Sequence, residues 1–512
     1  MSYSLGRITG DIYHATHGKL FKPDYKELMI NLEVLKGKDQ ILPRIYQTNV
    51  LHKFIDYLNG TKDSFEKIFN EDEHLLNTVE RDQKRLVEEV AEALLQLAHA
   101  FRYDHALLKD LKAFQAVVST IYVDVLSLKI SQLANCALPP LVKCINKNSP
   151  NTFSQAKTAP IGIKAGIVGM PTYSRTGGIV SWASIGHEVA GHNFLHAFED
   201  GASGKSLITE ISSKINESLN QSDTARQLAD YWSACIEEIT SDVLGVLNMG
   251  PSFGLALLAY FRGVRGGKLE STGVFYSTES KSGKNSVILD NPKNNQQTFV
   301  ETIGNDIRFK NKEGVFGFLE PSRESPLFYK KFDSADKHPL DVLRLFVVAK
   351  VIKLIDAKSN ITKFIREEAS KDTDQKKITL LMLVNSETTG HKTLEPVVID
   401  LESARKTSNL VAKTILDLEL ERLQNKSIRT IINWTPEDEK FVKEIMDKIA
   451  AFPLKPLRPV IKFSARHIVA SAILKSLEKN ADIGLIFENM KTLLVQAYES
   501  LPPGYFGQHL KL

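Results

Sequence analysis

The chain has 512 residues, room for about three domains of ordinary size, and its 43% hydrophobic and 25% charged residues are those of a folded globular protein. A formal net charge of +4 shows no dedicated polyanion-binding surface, so neither nucleic acid nor an anionic membrane is an expected partner. The sparse cysteines, Cys136, Cys144 and Cys235, show no C-x-x-C spacing and read as buried thiols in a reducing compartment. The first residues carry no secretory leader, and no window is apolar for the ~18 residues that a membrane span needs, so the expected location is cytoplasmic.

Taken in chain order, apolar residues recur at helical spacing from Asp63 to Ile130, as in Leu86, Val90, Ala93, Leu94 and Leu97, which predicts antiparallel helices. Pro139, Pro140 and Pro150 predict a connection and a boundary near 150, closing an N-terminal helical region over 1–150. The Gly-rich, β-branched run from Ile161 to Val180 predicts short strands with a turn at 175–178, and Gly177 to Val180 is a candidate edge strand for an extended peptide. Helices are expected over Trp182 to Phe198, Asp223 to Leu247 and Phe253 to Phe261, within a core unit over 151–270. Residues 271–337 read as loop and small sheet, with strands at SVILD and TFVETI. The region 338–512 reads as helical from Val342 onward, with Glu367 to Lys377 a solvated loop and breaks at Pro453, Pro456 and Pro459. The predicted class is mainly α (α+β): bundle-like helical regions around a metal-binding helix pair, with a small adjacent β-sheet.

Chemistry concentrates in SWASIGHEVAGHNFLHAFED, where His187-Glu188-Val189-Ala190-Gly191-His192 forms H-E-x-x-x-H. With 13 His and 61 acidic residues a chance match arises about 0.04 times per chain, so the motif alone does not decide. Support comes from Glu237-Glu238-Ile239-Thr240-Ser241-Asp242 on a second predicted helix. Two imidazoles and one carboxylate, His187, His192 and Glu238, make a zinc set that keeps a position open for water. Glu188 is then placed to act as general base, with Glu237 and Asp242 holding the outer imidazole nitrogens.

Geometry complicates this set. Five steps at about 100° each leave His187 and His192 roughly 140° apart on a regular α-helix. A π-bulge would realign them, and Gly191 is a plausible place for it. The rival set, His192 and His196 with Glu188 and Glu199, shares one stripe of an undistorted helix. Tyr231 and Tyr260 are candidates for stabilising an oxyanion, whereas His338, His391 and the Arg466-His467 pair read as structural or surface groups.

The two motifs together resemble the zinc signature of the dipeptidyl peptidase III family, a six-residue H-E-L-L-G-H followed by E-E-C-R-A-E. The resemblance covers about 20 motif residues, with Val189-Ala190 in place of the Leu pair and Asp242 in place of the last Glu. It implies a metallopeptidase of the gluzincin type: zinc held by His187, His192 and Glu238, Glu188 as catalytic base, and a peptide or protein substrate. Two other classes remain open at this level, a dinuclear carboxylate protein built from Glu188, His192, His196, Glu199, Glu238 and Asp242, and a non-catalytic zinc scaffold. No GxGxxG loop, P-loop or G-x-S-x-G elbow accompanies these residues, so no nucleotide cofactor is expected at this site.

Overall fold

The computed structural model describes residues 25–70, 76–126, 138–147, 149–196, 206–220, 228–264, 266–269, 272–275, 285–291, 296–303, 306–310, 316–317, 338–356, 359–373, 377–385, 392–454 and 464–501. Over these residues the protein is mainly helical with small sheets. The principal helices are α1 (Tyr25–Glu33), α2 (His52–Gly60), α3 (Lys62–Asn70), α4 (Thr78–Tyr103), α5 (His105–Leu126), α6 (Leu207–Asn220), α7 (Ile236–Met249), α8 (Pro251–Val264), α9 (Asp341–Ile355), α10 (Asn360–Lys371), α11 (Leu401–Asp417), α12 (Pro436–Ile449), α13 (Ala465–Ser476) and α14 (Ile483–Glu499). The helix start at α4 follows from its sequence: Asn77 accepts from the Glu80 N–H while the Glu80 carboxylate accepts from the Asn77 N–H, a reciprocal cap. Among the described residues no helix is long and apolar enough to cross a membrane.

A three-stranded sheet lies between two apolar cores. Its order is β1 (Leu138–Ile145), β3 (Ala165–Pro171), β2 (Asn151–Phe153), with β1 parallel and β2 antiparallel to β3. Every residue of β1 and β3 is buried. Because successive side chains point to opposite faces, Leu141 and Ile167 join the core under α1 to α4, while their neighbours Val142 and Val168 join the larger core of α5, α7 and the C-terminal helices. The boundary expected near 150 therefore falls inside a single sheet, between β1 and β2.

Pro139 and Pro140 stand within β1 and do not end it. β1 is an edge strand with a register shift between Leu138 and Leu141, where the missing N–H groups disturb no ladder. The carbonyls of both prolines accept side-chain donors instead, from Tyr46 Oη at 2.7 Å and Gln115 Nε2 at 2.8 Å.

Other expectations shift for local reasons. The segment Gly177 to Val180 is no strand: Gly178 is left-handed at φ +65°, and Ile179–Ala183 forms a 3-10 turn. Glu367 to Lys371 is the last part of α10, because Thr362, Ile365 and Ala369 give that helix a buried face. The expected strands at 286–290 and 298–303 form an antiparallel hairpin. The pairings also link chain regions that were expected to be separate, since Thr272–Phe275 runs parallel to Lys377–Asn385, itself paired with Lys392–Asp400. Cys136, Glu199 and His391 lie outside the described residues.

Candidate metal centre

Fully buried Trp182 sets the approach to the motif, stacking on Phe114 with ring centroids 4.2 Å apart and donating its Nε1–H to the Ser174 carbonyl. The chain then enters a π-helix over Gly186–Asn193 and closes in α-helix at Phe194–His196. The distortion expected at one residue thus extends over the whole H-E-x-x-x-H motif. A π-helix takes more residues per turn than an α-helix, so positions five apart come onto one face.

This segment packs along α7, and the contact is closest at Gly191. A Cβ there would stand 2.6 Å from Ser241 Cα, nearer than any real Cβ approaches, so glycine is required for the two backbones to come this close. The acids Glu237 and Glu238 occupy the first turn of α7, where carboxylates complement the helix dipole. Asp242 follows four residues after Glu238 and lies on the same side of the helix.

The structure brings the three expected ligands together. His187 Nε2 is 3.2 Å from His192 Nε2 and 3.2 Å from Glu238 Oε2, and His192 Nε2 is 3.4 Å from Glu238 Oε1. Donors bound to one tetrahedral zinc at about 2.0–2.1 Å would be separated by roughly 3.3–3.4 Å, the edge of that tetrahedron. Glu238 Oε2 is buried and makes no well-aligned hydrogen bond, its nearest polar neighbours being the Nε2 atoms of His187 and His338 at 3.2 and 3.3 Å. These residues fit zinc by donor type and by spacing. Glu188 is next to them, with one ligating atom from each of His187, Glu188 and His192 lying within 4.8 Å of one another.

The outer ring nitrogens are engaged as expected. His187 Nδ1 lies 2.9 Å from Asp242 Oδ1, and His192 Nδ1 lies 2.8 Å from Glu237 Oε1. On a neutral imidazole each carboxylate would hold the proton on Nδ1 and leave the Nε2 lone pair for a metal. Arg344 of α9 donates through Nε and an Nη to both oxygens of Asp242, at 2.7 and 2.8 Å.

Charge at this centre is negative. Glu188, Glu237, Glu238 and Asp242 carry four formal negative charges against one guanidinium. Burial disfavours imidazolium at His187 and His192, yet Asp242 with Glu238, and Glu237 with Glu238, outweigh it and hold both histidines above their ordinary value. Burial works against the Glu238 carboxylate too, and the two histidines keep its pKa well below the usual range. Asp242 is likewise held down by Arg344 in spite of complete burial.

His196 belongs to a different contact. Its Nε2 lies 2.8 Å from the same Glu237 Oε1 that meets His192 Nδ1. Those separations are hydrogen-bond lengths, shorter than the spacing of donors around a common ion. His192 Nε2 faces His187 and Glu238, while one ligating atom from each of His192, His196 and Glu237 lies within 4.8 Å of the others, a second group at the same centre. Tyr231 is structural: its hydroxyl accepts the Leu340 N–H at 2.9 Å, beside the start of α9. Tyr260 is hydrogen-bonded to Tyr173 and electrostatically coupled to Glu188; burial foremost pushes its pKa up.

Three residues at the centre were not read from the sequence. Thr152 of β2 donates its hydroxyl to Glu188 Oε2 at 2.5 Å. Arg344 is an arginine in the apolar run Val342 to Ala349, and a charge inside such a run was a readable sign of a buried partner. His338, expected to be structural, places Nε2 3.3 Å from Glu238 Oε2 with its side chain about half exposed. Comparison with protein-family models, curated proteins and solved structures returns no match, so the functional reading rests on this geometry.

Proposed function

We propose that this chain is a zinc-dependent peptide hydrolase in which His187, His192 and Glu238 hold the metal and Glu188 is the general base. The observation that carries this reading is the convergence of His187 Nε2, His192 Nε2 and the Glu238 carboxylate at 3.2–3.4 Å, with Glu188 beside them. Zinc, when bound, supplies Lewis acidity that brings the pKa of water toward neutrality and polarises a carbonyl.

The chain's own residues supply the rest. Glu188 takes the proton of the attacking water and returns it to the leaving amine. Thr152 orients that carboxylate through its hydroxyl, leaving the other oxygen for the proton. Asp242 and Glu237 fix the histidine tautomers, and Arg344 keeps Asp242 ionised. β2 supports a peptide substrate because it is an edge strand that reaches Glu188 through Thr152, and an extended peptide binds such an edge by main-chain hydrogen bonds.

The test is a mixed peptide library read by mass spectrometry against zinc-loaded protein, with Glu188→Gln in parallel. The variant should keep its zinc while hydrolysis falls by about 10² to 10⁴. A wild type that cleaves no peptide, or a Glu188→Gln protein that loses zinc as fully as Glu238→Gln does, would end this reading.

A further inference from the structure

A second site lies at the far end of α9. This helix contributes Arg344 to the metal centre, and nine residues later Lys353 lines an open cleft, roughly 14 Å further along the axis at 1.5 Å per residue. Ser359, just before α10, and Thr362 and Lys363 in its first turn line the wall, with Arg366 from the next turn and Arg405 from α11. The cleft measures about 310 Å³ and is open to solvent.

Its charge is unbalanced. Among the described residues no carboxylate forms an ion pair with Lys353, Arg366 or Arg405. The single acid on the wall, Glu367, stands 3.7 Å from Lys363 at the exposed rim. Burial first, then mutual repulsion, lowers the pKa of Arg366 against Arg405, and of Lys350 against Lys353, Arg366 and Lys413.

The cations are held in place without being neutralised. Arg366 donates to Asn409 Oδ1 at 3.2 Å, Arg405 donates to Ser370 Oγ at 2.9 Å, and the Arg405 guanidinium lies over the Phe346 ring. Two polar atoms have no partner: Thr362 Oγ1, on a residue only 6% exposed, and the buried Arg405 Nε. At the start of α10 the Ser359 side chain makes no capping bond, so it satisfies none of the amides of the first turn. The unpartnered Thr362 side chain in the first turn of α10, the fixed guanidiniums of Arg366 and Arg405 and a cleft larger than one phosphoryl group all call for the same ligand chemistry.

We propose that this cleft binds a soluble small molecule carrying two or more linked phosphoryl groups. Arg366 and Arg405 meet phosphate oxygens with their planar forks, Thr362 donates its hydroxyl, and Lys353 and Lys363 balance the remaining charge. The site is separate from the metal centre, so its test does not depend on hydrolysis.

The experiment is calorimetric titration of the full chain with inorganic pyrophosphate, with sulfate as a competitor. Arg366→Gln and Arg405→Gln should each weaken binding at least tenfold, and Thr362→Val should weaken it with little change of shape. Lys406→Gln should bind as wild type, because Lys406 is exposed outside the cleft and paired with Glu402. Circular dichroism controls for folding, and Arg366→Lys, which keeps the charge but loses the fork, should fall between wild type and Arg366→Gln. Pyrophosphate that gives no saturable heat at millimolar concentration overturns the proposal. So does affinity unchanged in both arginine variants, equal binding of sulfate, or binding to phosphoinositide vesicles without binding to pyrophosphate.

Discussion

His187 Nε2 stands 3.2 Å from His192 Nε2 across five residues of chain, an approach that a regular α-helix does not allow. The π-helix that permits it rests on α7 at Gly191, where no side chain fits against Ser241. Gly191→Ala should therefore push the segment away from α7 or force it back toward α geometry. We expect a loss of about 1–3 kcal/mol in stability, as for other overpacked sites, together with at least tenfold weaker zinc binding by competition with a chromophoric chelator. Wild-type stability with stoichiometric zinc in this variant would show that the close approach does not set the ligand geometry.

The outer carboxylates give a second expectation. Asp242→Asn and Glu237→Gln leave all three ligands in place but weaken the hold on the histidine tautomers, so zinc affinity should drop by roughly 10- to 100-fold. His192→Ala should lose the metal altogether. His196→Ala removes a hydrogen bond to Glu237 and no ligand, so it should keep stoichiometric zinc in elemental analysis. Loss of zinc from His196→Ala as complete as from His192→Ala would return the centre to the rival ligand set.

These residues also show what the sequence could and could not disclose. The spacing from His187 to His192 required a helical distortion if both were to face one ion, whereas the rival pair His192 and His196 needed none, and the paired acids at 237 and 238 with Asp242 were legible because a helix repeats every three to four residues. Thr152 was not legible, since it sits in a three-residue strand that exists only because β3 pairs with it. β1 was hidden by Pro139 and Pro140, whose breaking effect is cancelled by an edge position and by donors from Tyr46 and Gln115, far away in sequence. His338 reaches Glu238 from a point 100 residues later in the chain, and no local pattern carries that contact.

Cys144 supplies a check on the sheet between the two cores. Its thiol is buried in β1, and burial foremost pushes its pKa up to about 12. Alkylation proceeds through the thiolate, so iodoacetamide at pH 8 should leave Cys144 unmodified in the native protein and modify it fully after denaturation. Peptide mapping gives the answer. Rapid native labelling at Cys144 would mean that the sheet opens readily or is not covered on both faces.

Asp438 ties the start of α12 to α13 and makes acid stability predictable. Its carboxylate accepts from His467 Nε2 at 2.7 Å, Arg466 at 3.0 Å, and the Thr435 hydroxyl and N–H at 2.6 and 2.7 Å. Burial works against the charge, but His467 and Thr435 outweigh it and hold the pKa below the ordinary value of about 3.9. A carboxyl group with a folded-state pKa below its unfolded value adds stability that is complete above the unfolded pKa and is lost as pH falls toward the folded one. Asp438→Asn should therefore cost roughly 2 kcal/mol near neutral pH, the range for hydrogen bonds to a charged group. The gap between the variant and wild type should stay constant down to about pH 5, then narrow below pH 4 by up to about 1.4 kcal/mol per pH unit. Urea denaturation of both proteins between pH 7 and pH 3 measures this gap directly, and a gap that does not narrow in acid would show that the Asp438 charge contributes nothing to holding α12 on α13.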